Sequence, residues 1–277
     1  MRSVTVLVAA LCISGTGTAT DFDPFQGPKP LAVFIQSSPW AMVIGSDTPR
    51  VAIYENGDVI FAKGTGGNLN YHYVALGKQQ LEDVRAQLKP VMALKELKSS
   101  YNLRPNASDQ PEAKFYFRDG ERAVVTSVYG LMVRDTKLPG YTEFPPSSTP
   151  TAPPGELIKL HTWLCELDFS NSAEWTPRYL QVLFWSYSYA PEASIHWPND
   201  WPSLNSDRAI KHGDLHSVFL DGSMLSKLRE FLATRRERGA VEIAGKKMTA
   251  SYRFVFPGER EWRKAFAQVT QERLDSE

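Results

Sequence analysis

The sequence predicts an α+β protein of two related units joined by a proline-rich connector. Each unit is expected to be an antiparallel sheet of hairpins with one or two covering helices, in the order β-β-β-α-β-β-α. Three observations predict this class. Turn-forming pairs separate short β-branched and aromatic runs, above all Asn56-Gly57, whose glycine accepts the positive φ of a tight hairpin. Amphipathic helical spacing follows a strand in both halves of the chain. The strand–helix step also recurs: residues 72–88 slid onto 216–232, an offset of 144, match at six of 17 positions. Thr48-Pro49-Arg50 and Thr176-Pro177-Arg178 open the two halves at an offset of 128, so the second unit holds 16 extra residues.

Taken in order, residues 1–19 read as a secretory signal. Met1-Arg2 gives a positive end, residues 4–13 form an apolar run too short to span a bilayer, and Gly17 and Ala19 precede a cut before Thr20. The first unit then covers 20–138. Residues 21–47 lead into it, with 31–35 and 41–44 as strands or an apolar arm. Strands 51–54 and 59–62 flank the Asn56-Gly57 turn, and 71–76 is a third strand. Leu81, Val84, Leu88 and Val91 share a helical face, and Pro90 predicts that this helix stops there or just before. A hairpin over 113–117 and 122–129 turns at Asp119-Gly120.

The connector, 139–155, holds six prolines in 17 positions and is expected to be extended. The second unit, 156–277, opens on a helix over 156–167 with Leu157, Leu160, Leu164 and Leu167 on one face. The spacing leaves open which sheet that helix covers. An aromatic strand over 179–187 follows, then a strand over 215–220 and a helix bearing Leu225, Leu228 and Leu232. A hairpin around Gly245-Lys246 and a helix bearing Trp262, Phe266 and Val269 close the chain.

Composition narrows the function. The 277 residues carry 31 basic and 31 acidic side chains, a net charge of zero, or −1 once Arg2 leaves with the leader. That balance gives no support to a nucleic-acid partner. Of two cysteines only Cys165 remains after the leader, so no internal disulfide is available and the core must hold the exported chain. A chain of this length can bury about three-quarters of its unfolded surface. Beyond the leader no apolar run is long enough for a membrane span, and the expected location is periplasmic or secreted.

Few residues invite chemistry. His212 and His216 have the i, i+4 spacing of a zinc helix, but Gly213 and the alternation after it make a strand, which would not put both imidazoles on one face. His196 is a third weak metal candidate, and the echo of His216 by His72 reads as a shared strand residue. His161 and Cys165 lie one helical turn apart on an apolar stripe, which fits packing better than a thiolate pair. The glycine-rich stretch 64–68 lacks the Lys-Ser/Thr ending of a phosphate loop. No cofactor is implied.

The most unusual stretch is aromatic and sits in or beside the 16-residue excess. Trp185, Tyr187 and Tyr189 alternate so that three rings share a strand face, and Trp197 and Trp201 follow, stiffened by Pro198 and Pro202. Flat rings suit a sugar or a protein partner, with Asp200 as a polar contact; the alternative is that they are core. The expected function is therefore an exported, non-catalytic binding protein for a protein or an envelope glycan. The competing reading is an extracellular hydrolase using carboxylates such as Asp200, Asp207 and Asp214.

Overall fold

The computed structural model describes residues 22–37, 48–64, 70–132 and 152–274, with side chains as far as residue 269. The expected leader, the apolar stretch 41–44, the glycine-rich loop after Gly64 and connector residues 139–151 lie outside the described residues.

One sheet has eight strands: β1 (Pro30–Ser37), β2 (Val51–Tyr54), β3 (Asp58–Lys63), β4 (Asn70–Ala75), β5 (Ser100–Asn102), β6 (Glu112–Asp119), β7 (Arg122–Tyr129) and β8 (Ala173–Glu174). Their order is β5-β7-β6-β1-β2-β3-β4-β8. The lead-in strand is thus an interior strand, hydrogen-bonded to β2 on one side and β6 on the other. Its residues from Leu31 to Ile35 are all buried. Ala32 and Phe34 share a core with α1 (Lys78–Met92) and α2 (Gly155–Cys165), through Val84, Leu88, Leu157, Leu160 and Leu164. Val33 and Ile35 share the opposite core with Trp262 of α4 (Glu259–Leu274). A sheet covered on both faces wants apolar residues at consecutive positions, and 31–35, 51–54 and 59–61 supply them. Each large side chain fully buried this way contributes roughly 1.5–3 kcal/mol.

Turn chemistry sets the hairpins. Gly57 adopts φ 91° in the β2–β3 turn, and the Asn56 side chain bonds both the backbone and the carboxylate of Asp58. A Cβ at Gly57 would meet the Leu76 carbonyl oxygen at 2.8 Å. Helix α1 begins where the Gln80 side chain accepts the Gly77 N–H at 3.0 Å, a capping contact. Pro90 lies inside α1 rather than ending it. Proline removes only one helical bond, in the last turn, and on a side where Ala86 and Pro90 are exposed.

The second sheet has six strands: β9 (Tyr179–Ser186), β10 (Glu192–His196), β11 (Ala209–His212), β12 (Leu215–Asp221), β13 (Gly239–Ile243) and β14 (Lys246–Phe254). Their order is β10-β13-β14-β9-β12-β11. Helix α3 (Leu225–Ala233) puts Leu228 among Leu180, Val182, Phe184, Val218, Leu220 and Val241 on one face. On the other face Tyr179 and Phe219 meet Phe22 and Phe25 edge-on.

The protein is therefore α+β, with two sheets of hairpin strands and helical cover. Four expectations need correction. The sheets are mixed, because β5 pairs with β7 and β10 with β13 in parallel. The strand order does not repeat: β6, the first strand of its hairpin, adjoins β1, whereas β14, the second of its hairpin, adjoins β9. The likeness between the halves lies in the strand–helix steps β4–α1 and β12–α3 and in the hairpin that follows each, β6–β7 and β13–β14. The expected second unit begins at 156, yet α2 packs in the first sheet's core and the closing helix α4 covers that sheet's other face. Finally, Ile243 pairs with Lys246, so the β13–β14 turn is Ala244-Gly245.

The two sheets meet through rings and charge. Tyr71 and Trp175 from the first sheet's edge contact Phe254 and Phe256 at the end of β14. Glu259, fully buried, pairs with Arg253 at 2.5 Å and with Arg263.

Ala244 adopts φ 49° beside Gly245 at 71°, a left-handed pair that an alanine side chain tolerates poorly. Ala244→Asn is expected to raise stability by about 1 kcal/mol in urea denaturation. No gain would contradict the turn geometry.

Candidate functional site

The aromatic stretch divides into an outer ledge and an inner plug. Strand β9 carries Trp185 opposite Thr249, on the face away from α3. The chain then leaves the sheet. Tyr187 N–H donates to the Lys247 carbonyl at 3.0 Å, and Ala190 N–H turns back to Tyr187. Tyr189 projects from that turn, 80% exposed, with its ring edge-on to Tyr187 at 4.9 Å. Trp185 and Tyr187 are half-buried. Register brings Lys247 and Glu242 beside the ledge, since they pair across β13–β14, and His196 aligns with Glu242 on β10. Spacing along the chain gave no sign of these three neighbours, because only strand pairing assembles them.

Trp197 belongs to the plug. It is 6% exposed, and its indole N–H donates to the Pro202 carbonyl at 3.0 Å. Its ring meets Phe184, Trp201 and Phe231 edge-on at 5.0, 4.9 and 5.6 Å. Trp201 is half-buried against the same core. Of the two readings of this stretch, presented rings or core, Trp197 takes the second, so it is corrected as a ligand-binding candidate: its loop lies back against the core of the second sheet. A bulky apolar ring beside Phe184 gains more from that burial than from solvent. Asp200 is exposed at the loop's turn.

The histidines do not converge. His212 pairs with Leu215 and Lys211 with His216, so His212 and His216 lie on opposite faces of the β11–β12 hairpin. Burial, with Lys211 and Lys246 adding to it, holds the His216 imidazole below its ordinary pKa, which favours the neutral ring. His196 is exposed, its Nδ1 3.9 Å from Glu242. Among the described residues no group of three or more His, Cys, Asp or Glu side chains is placed to hold a metal ion. Asp200, Asp207 and Asp214 stand exposed in three separate turns.

His161 and Cys165 do meet, Nε2 to Sγ at 3.5 Å, inside the first core. His161 is buried edge-on to Phe34 and Phe115. Burial pushes the Cys165 thiol up to about 12, so it stays protonated and lacks the thiolate that nucleophilic chemistry needs.

Comparison with known proteins finds no matching family model, no matching curated protein and no matching solved structure.

Truncation separates plug from ledge. Trp197→Ala is expected to cost about 3–5 kcal/mol through lost burial and a cavity. Tyr189→Ala should stay within about 0.5 kcal/mol of wild type. Urea denaturation of both reads the difference, and a mild Trp197 variant would contradict the plug. Cys165 offers a second check: folded protein should resist iodoacetamide near neutral pH and label once unfolded in urea. Fast labelling of the folded chain would contradict a buried, neutral thiol.

Proposed function

We propose that the protein is an exported, non-catalytic binding protein that engages a protein or an envelope glycan through the ledge of Trp185, Tyr187 and Tyr189. The observation that carries this reading is Tyr189, a large ring left 80% exposed yet steadied edge-on by Tyr187. A ring already ordered before contact loses little freedom on binding and offers flat apolar area with a polar hydroxyl. Trp185 extends that area inward along a strand, and Glu242, Lys247 and His196 provide a polar border. Export rests on the leader-like first 19 residues. The hydrolase alternative draws no support from its three carboxylates, which occupy separate exposed turns.

A panel of envelope polysaccharides, titrated against the purified protein, tests the reading. At least one is expected to bind, and the Tyr187→Ala/Tyr189→Ala double variant should bind it about tenfold more weakly or worse, with an unchanged melting temperature. Undiminished binding by a correctly folded double variant would remove the ledge from the account.

A further inference from the structure

In the helical cover of the first sheet, α1 and the end of α2 with the chain leaving it line an open cleft of about 420 Å³. A volume of this size suits a small organic ligand. Val84 contributes buried apolar surface from α1, and Trp163 and Phe169 contribute half-buried rings from the other wall. Phe169 is steadied edge-on by Phe61 at 5.6 Å. The polar lining includes the carboxylates of Asp83, Glu166 and Asp168, and among the described residues no basic side chain lines the cleft.

The three acids are not equivalent. Asp168 is already engaged: Lys63 lies 2.7 Å away, and its hydrogen bond is the main reason the Asp168 carboxyl is held below its ordinary range. Among the described residues Asp83 receives one side-chain hydrogen bond, an amide donation from Gln79 at 3.0 Å, and no ion pair. Glu166 has no ion pair or side-chain hydrogen bond among the described residues. Two carboxylates without an ion pair among the described residues thus line the same cleft as the two rings, Asp83 from α1 and Glu166 from the end of α2.

Chemistry narrows the occupant. An anion would be repelled. A neutral apolar ligand would strip water from the carboxylates without replacing it. A compact metal ion lacks a ligand set among the described residues. We infer that this cleft binds a linear aliphatic polyamine, with the methylene chain on Trp163 and Phe169 and ammonium groups on Asp83 and Glu166. The rings add cation–π attraction to whichever ammonium lies over them. This inference is independent of the ledge.

Calorimetric titration at low ionic strength tests it, with spermidine, Nα-acetyl-lysinamide and hexanoate as probes. Spermidine is expected to bind, acetyl-lysinamide to bind about tenfold more weakly because it has one ammonium, and hexanoate not to bind. Asp83 and Glu166 are exposed, so Asp83→Asn/Glu166→Gln should keep its melting temperature and lose about tenfold in spermidine affinity. Added salt should weaken the wild-type interaction. No heat with spermidine, or unchanged affinity in the double variant, overturns the site. Equal affinity for acetyl-lysinamide overturns the polyamine assignment in favour of a single lysine side chain. The Tyr187→Ala/Tyr189→Ala protein should bind spermidine as wild type does, so failure of the ledge and failure of the cleft are read separately.

Discussion

Glu259 is a carboxylate with no exposed surface, and the meeting of the two sheets is built around its charge. An unpaired buried charge would cost several kcal/mol, so its neighbours must answer it. Arg253 comes from the end of β14, Arg263 from the next turn of α4, and the Phe256 N–H donates to it at 3.2 Å. Tyr54 of the first sheet lies close as well: burial first, then Glu259, push its phenol up. The constraint fixes where β14 ends and how α4 starts. It sends a helix that follows the second sheet onto the face of the first, where Arg118 of β6 pairs with Glu261.

The chain before β1 closes the same joint from the other side. Gly258 N–H donates to the Phe25 carbonyl at 2.8 Å, and a Cβ at Gly258 would meet the Pro28 carbonyl oxygen at 2.7 Å. Phe22 and Phe25 cover the second sheet while the residues just after them enter the interior of the first. Each sheet therefore borrows cover from sequence on the far side of the other. Strand β9 starts at this joint, where Val255 N–H bonds the Tyr179 carbonyl, and runs roughly 20 Å to Trp185 and the ledge at about 3.3 Å per residue. The ledge thus sits at the end of a strand whose other end is locked.

Local structure was legible in the sequence. Asn56-Gly57, the α1 stripe and the β12–α3 step all lie where turn chemistry and periodicity put them, because those signals act over a few residues. Long-range placement was not. Residues 31–35 look like a lead-in because they open the unit, yet their unbroken apolar run is what a strand buried on both faces requires. The leucine stripe of α2 says that it covers something without saying which sheet. Trp197 between polar, proline-bearing neighbours resembles a presented ring, and only its contacts with Phe184 and Phe231 reveal a core residue. Ala244 hides its turn, since alanine is rarely chosen for positive φ.

The central claim is that this joint makes the two sheets one cooperative body. Differential scanning calorimetry tests it most directly. The account predicts a single transition whose calorimetric and van't Hoff enthalpies agree, and a Glu259→Ala variant less stable by about 3–5 kcal/mol. Two separable transitions in the wild-type protein, or a Glu259→Ala variant melting like wild type, would contradict it.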